Sequence, residues 1–267
     1  MKIIWDGTTN QHLSGNIILA IDEVRASYGH IIEPKGKSLL KFGAIETLGT
    51  TRATIWNRAG NETYLSDNLI THISSDDAGD TGAAELEGHT IDADGDFTFV
   101  VQDVTLQGLT KTPIGTPLAR ANRIYNNSTA NWIGRVYVYE DDTVTLGIPQ
   151  TTAKIHLQSD GLVNNSLKAA TAISKDDYWL MTHVYGAVNQ KTSAVVDFRF
   201  EIREKGKVFR ERFLATAKQD GPDVNIPLSP CIIVPPNSDI RVTGAASTTN
   251  VAASAWMNGI LCRIKNN

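Results

Sequence analysis

From Val196 to Arg203 apolar and charged side chains alternate without a break (Val-Asp-Phe-Arg-Phe-Glu-Ile-Arg). A period of two fits a strand lying on a core and fits no helix. The pattern places Val196, Phe198, Phe200 and Ile202 on a buried face and the charges on a solvated one. Glu204-Lys205-Gly206-Lys207 then supplies a turn, and Val208–Leu214 returns as the second arm of a hairpin. Segments of this kind recur along the chain, separated at short intervals by Gly, Pro, Asn and Asp. Helical periodicity is almost absent. This spacing predicts an all-β fold, an antiparallel β-sandwich of jelly-roll-like kind.

Other elements follow from the same pattern. Gly88–Val101 reads as a hairpin with Asp94-Gly95 at its tight turn, since both residues tolerate left-handed backbone. Arg135–Tyr139, Ala153–Leu157 and Asp239–Val242 are further strands, and Ala255–Ile264 is a closing strand. Val251–Ala255 is expected inside the sandwich. The first forty or so residues are less regular, with Asp6-Gly7-Thr8-Thr9-Asn10 and Glu33-Pro34-Lys35-Gly36-Lys37 flanking short apolar pieces. Residues 1–45 are therefore expected to form an N-terminal arm or small subdomain. Residues 46–267 form the β-sandwich body, either one sandwich or two packed β subdomains.

With 267 residues and 41% hydrophobic side chains, the chain has ample material for a buried core. No run approaches the roughly 18–20 apolar residues that cross a bilayer, and Met1–Gly7 lacks the apolar stretch of a signal peptide. The net charge of −4 offers no general counter-charge to nucleic acid. Cys231 and Cys262 are too few for a disulfide framework and sit among apolar neighbours, which predicts two buried free thiols.

Candidate chemistry resolves into turn chemistry. The aspartates of Ser75–Gly82 and of Asp92–Asp96 invite a calcium reading, but Gly95 falls at the fourth position of the second loop, where an EF-hand needs glycine at the sixth. Asp and Gly also serve in Asx-turns, the simpler account. His12, His30, His72, His89, His156 and His183 show no zinc-ligand spacing. Asp141-Asp142 and Asp176-Asp177 are adjacent pairs that a strand would point to opposite faces, unlike a glycosidase pair. Tyr137, Tyr139, Trp132, Tyr178 and Trp179 are the rings that could stack on a sugar if exposed. No hydrolase elbow, phosphate loop or zinc-protease helix is present. No catalytic, cofactor-binding or metal-binding residue is assigned, and no cofactor is expected.

Thr51–Asn57, with its Trp56, leads into Ser74–Ala83 and then Gly88–Asp92. Together with Val104–Gly108, the basic segment Arg120–Ile124, Pro230–Arg241 and the closing strand, this order resembles a group of virion structural proteins from tailed, often marine, phages. The loop Asp76-Asp77-Ala78-Gly79-Asp80-Thr81-Gly82 stands where that pattern carries Ala-Ala-Asp-Thr-Ala-Ala. The resemblance implies a non-enzymatic subunit of the virion, assembled in the host cytoplasm, with a decoration, cement or connector role on capsid or tail. Its implied partners are copies of itself, as a homo-oligomer with the trimer as preferred state, and neighbouring capsid or tail proteins. Direct nucleic-acid contact and a membrane span are not expected. The N-terminal arm is the segment expected to reach a neighbour, by adding a strand to a sheet edge. The alternative is a receptor- or glycan-binding module of a tail or fibre, with a host surface glycan as partner. A polysaccharide-degrading enzyme is the third reading.

Overall fold

The computed structural model describes residues 32–58, 60–189, 194–219, 221 and 223–264. These form strands joined by turns, with two 3-10 turns and no α-helix among them. In chain order, β1 (Ile32–Leu48) and β2 (Ala53–Thr54) precede β3 (Ile70–Ser75), β4 (Thr81–Ile91), β5 (Phe97–Gln107) and β6 (Thr112–Leu118). Then come β7 (Arg120–Asn126), β8 (Val136–Glu140), β9 (Val144–Thr145), β10 (Ile148–Pro149), β11 (Ile155–Asp160) and β12 (Asn165–Ser166). The chain returns through β13 (Ala170–Ile173), β14 (Asp177–Val188), β15 (Val195–Glu204), β16 (Arg210–Lys218), β17 (Val224–Val234), β18 (Ser238–Ala246) and β19 (Val251–Ile264).

Two of the sheets make a sandwich. One has the order β1-β19-β14-β17 and the other β13-β18-β15-β16, with β2 also on β18. Taking β1 and β13 to β19 as eight consecutive strands, the orders are 1-8-3-6 and 2-7-4-5, the pairing of an antiparallel jelly roll. The ladders along both orders are antiparallel. The expected fold class is therefore the observed one. Its core is built by Trp179, Met181, Val184, Val196, Phe198, Phe200, Ile202, Val242 and Met257, among others. The alternating face read from the sequence is buried as expected.

Between the first and second jelly-roll strands lies an insertion with its own core, including Ile70, Ile73, Leu86, Leu106, Leu118, Ile124, Trp132, Val138 and Leu157. Its eight-stranded sheet runs β5-β4-β7-β12-β11-β8-β3-β6 and nearly closes into a barrel. At the seam between β5 and β6 the Gln102 side chain substitutes for a strand partner. Its Oε1 accepts from the Thr116 amide at 2.7 Å and its Nε2 donates to the Thr116 carbonyl at 2.9 Å. The β6 backbone thus gains a partner at the seam without a backbone ladder.

The expected hairpins are β4–β5 and β15–β16. The first has a looser turn than Asp94-Gly95 alone implies. Ile91 pairs with Phe97, so five residues form the loop, and only Gly95 of the two has positive φ, at 77°. Asp92 Oδ1 accepts from the amides of Asp94 and Asp96 and holds the loop shut. Residues 32–45 of the expected arm belong to β1, which runs on to Leu48 and pairs along β19. Residues 1–31, including His12 and His30, lie outside the described residues. Val251, Ala253 and Ala255 face the sandwich interior. Cys262, on the internal strand β19, is buried, but Cys231, on the edge strand β17, is half-buried.

Candidate functional site

Where the insertion meets the jelly roll, the junction is polar and buried. Arg120 of β7 donates from Nε to Asp239 Oδ1 of β18 at 2.7 Å, and Arg203 of β15 holds the same carboxylate. The Arg203 and Arg120 guanidinium groups lie 4.4 and 5.2 Å from the Tyr64 ring centre. Lys168 pairs with Glu62 and donates to the carbonyls of Ala121 and His156 at 2.8 and 3.2 Å. Glu201, placed by its alternation on a solvated face, is instead buried between Arg241 and Thr243. The outer surface of β15 and β18 carries this junction, and that is why it is not solvated. The basic segment Arg120–Ile124 thus joins the two units: Arg123 donates to the carbonyl of Leu40 in β1.

Lys41, on β1, is 2% exposed and faces Glu87 at 3.6 Å. Burial and the neighbouring Arg123 charge pull its ammonium from 10.5 to about 7. His89 and His156 are also buried, and burial with nearby cations lowers each from 6.5 to about 3, so both are neutral. His156 bonds Glu140 and His89 bonds Asn122. His72 stacks on Tyr139, and His183 is exposed.

The opposite end of the insertion gathers loops 76–80, 108–111, 127–135 and 161–164, since antiparallel strands bring alternate connections to one end. Asp80, buried, accepts from Ser75 Oγ at 2.6 Å and from the amides of Ile133 and Gly134 at 2.7 and 3.0 Å. Asp76 accepts from the Arg135 amide at 2.6 Å and from the Tyr137 hydroxyl at 3.0 Å. That hydroxyl is pushed up to about 12 by burial and by the Asp76 charge. Asp77 closes an Asx-turn on Gly79. Asn164 Oδ1 accepts from the Trp132 amide and Asn126 Nδ2, both at 2.8 Å. These carboxylates and amides satisfy loop backbone, which fixes the loops on a rigid scaffold.

On this braced frame stand apolar side chains. Ile133 is 69% exposed and Leu146 is 72% exposed, with Val163 and Ile148 also exposed. Leu146 and Gly147 form the two-residue turn between β9 and β10 with φ of 48° and 76°. Such a primed turn favours Asn-Gly, and a leucine there is strained by about 1 kcal/mol. Gly147 is required: a Cβ at that position would lie 1.7 Å from the Ser75 carbonyl oxygen. A strained, solvent-facing leucine on a braced loop cluster is the surface that folding alone does not explain. The sequence reading passed over these residues; the pattern Val144-Thr145-Leu146-Gly147-Ile148 is the signal that could have found them.

The remaining candidates disperse. Asp141 binds Lys111, and Asp142 holds the Thr151 amide at 2.6 Å. Asp177 is buried 3.6 Å from Arg263, whereas Asp176 is exposed. Tyr137, Tyr139, Trp132 and Trp179 are buried and present no stacking face, and Tyr178 is half-buried. Among the described residues no group of three His, Cys, Asp or Glu side chains is placed to hold a metal, and no helix is long and apolar enough to cross a membrane.

No family model matches the chain, and no curated protein matches it. Among solved structures, the infectious bursal disease virus VP2 subviral particle is similar at 9% identity, with 77% of this chain and 75% of that chain covered and a TM-score of 0.21. The structure of the Gx strain of the same virus gives 9% identity, coverage of 88% and 74%, and a TM-score of 0.24. At these scores the likeness carries no argument about this chain.

Proposed function

We propose that this chain is a non-enzymatic structural subunit of a virion, of the tailed-phage kind its sequence resembles, and that it assembles with copies of itself on the capsid or tail. The observation that carries the reading is the pairing of a jelly roll with an inserted barrel whose far end presents Ile133, Leu146, Ile148 and Val163 on a rigid frame. Jelly rolls serve in capsids and lectins alike, and fold alone does not choose between them. The aliphatic character of the end favours contact with another protein surface over a sugar, which stacks on rings. Covering these four side chains would contribute about 4 kcal/mol at the usual value for buried apolar area, a useful share of a subunit contact when multiplied by symmetry.

The experiment is reconstitution. Purified chain is mixed with particles lacking it, and bound copies are counted, for the natural chain and for Ile133→Asp with Leu146→Asn. Saturable binding that the double substitution weakens at least tenfold supports the reading. Absence of binding to particles together with binding to host-surface glycans would replace it with the receptor-binding alternative.

A further inference from the structure

Lys168 and Glu62 meet where the chain passes between the jelly roll and the insertion. Glu62 lies in the connection from β2 to β3, by which the chain enters the insertion, and Lys168 lies between β12 and β13, by which it leaves. Their side chains are each 2% exposed, and the ring of Trp56, itself wholly buried, stands 5.4 Å from the Lys168 amine. Lys168 Nζ donates to the carbonyls of Ala121 and His156 at 2.8 and 3.2 Å. Those two bonds use both hydrogens of a neutral amine and leave its lone pair for the Glu62 carboxyl, which it meets at Oε1. Burial is the largest influence on the Lys168 ammonium and lowers it. Glu62 Oε2 is buried and has no hydrogen-bond partner. A carboxylate with a bare oxygen in so dry a place is costly, whereas a neutral carbonyl there costs far less.

We propose that Lys168 and Glu62 condense into an intramolecular isopeptide bond. One proton passes from Nζ to Oε1, which turns the ion pair into an amine and a carboxylic acid. The Nζ lone pair then forms a bond to Cδ, a second Nζ proton passes to Oε1, the Cδ–Oε1 bond breaks, and one water leaves. Oε2 remains as the amide oxygen, and Nζ keeps one hydrogen to donate. In water the hydration of the separate ions opposes this reaction. Burial removes that hydration, and holding the two groups in contact replaces a bimolecular encounter. The group available to meet charge developing on Oε2 is the Tyr64 hydroxyl, which is buried and also without a partner. Burial and the Glu62 charge hold that hydroxyl well above the usual phenol value, so it keeps its proton. The two partners are 106 residues apart, and every strand of the insertion, β3 to β12, lies between them. The bond therefore ties off the insertion at its neck and restricts the unfolded chain as a disulfide closing a long loop does. The inference stands independently of the assembly reading.

The full chain, purified in its folded form, is weighed by mass spectrometry under denaturing conditions. It should be lighter than its sequence by one water. Trypsin should release a branched peptide joining the segments that carry Glu62 and Lys168, because it does not cleave after an acylated lysine. Lys168→Arg retains a cation beside Glu62 but has no primary amine, and should keep its full mass; the natural chain decides the matter by itself if this variant fails to fold. In chains weighed at intervals after cell-free synthesis, Tyr64→Phe should form the product at least about tenfold more slowly. A folded natural chain at its full sequence mass would overturn the proposal, and so would a loss of water mapped to any other pair of residues. Equal rates for Tyr64→Phe and the natural chain would overturn the part given to Tyr64.

Discussion

Replacing Lys41 by methionine should stabilise the protein near neutral pH and lose that advantage in alkali. The buried ammonium is lowered from 10.5 to about 7, which corresponds to about 5 kcal/mol in favour of the neutral amine. Between these two values the unfolded chain binds a proton that the folded chain does not. Folding stability therefore falls as pH drops from about 10.5 to about 7 and stays low beneath it. Lys41→Met removes the dependence. Against it stand the lost contact with Glu87, which is 15% exposed and close enough to solvent to remain hydrated, and imperfect packing of the new side chain, together about 2–3 kcal/mol. The expected net gain is about 2 kcal/mol at pH 6, vanishing or reversing by pH 10. Urea unfolding of both chains at pH 6, 8 and 10 measures it. A natural chain whose stability does not rise between pH 7 and 10, or a variant that is less stable at pH 6, would refute the reasoning.

Two further outcomes are expected. His89 and His156 are neutral in the folded state with values lowered from 6.5 to about 3, so stability present above pH 6.5 should drain away as pH falls toward 3; the double variant His89→Gln with His156→Gln should flatten thermal midpoints measured from pH 6.5 to 4, and an equally steep slope would speak against buried neutral imidazoles. At the far end of the insertion, Leu146→Gly should raise stability by about 0.5–1 kcal/mol by relieving the positive φ while weakening assembly, whereas Gly147→Ala should cost more than about 2 kcal/mol because its Cβ meets the Ser75 carbonyl. Chemical denaturation of the two variants separates these signs.

Much of the fold was legible because it is local. The β15–β16 hairpin follows from strict alternation, and the aspartate loops from Asx-turn chemistry, both decided within a dozen residues. The strand β1 was not legible. Glu33-Pro34-Lys35-Gly36-Lys37 reads as a loop, but β1 is an edge strand, and a register shift between Pro34 and Lys37 accommodates those residues. The insertion was equally hidden, since its limits depend on β1 pairing with β19 across more than two hundred residues. Lys41 did leave a trace: a single lysine inside Leu39-Leu40-Lys41-Phe42-Gly43-Ala44-Ile45 marks a charge that the fold must bury or pair. The exposed end of the insertion could not be read from composition, because exposure of Ile133 and Leu146 is set by loops brought together from four distant segments.

Assembly with copies of itself is the claim on which the functional reading rests, and the mass of the purified full chain by multi-angle light scattering over a hundredfold range of concentration tests it most directly. The account predicts a discrete homo-oligomer that survives dilution, three times 29.1 kDa for the trimer. A mass of 29.1 kDa at every concentration would contradict it.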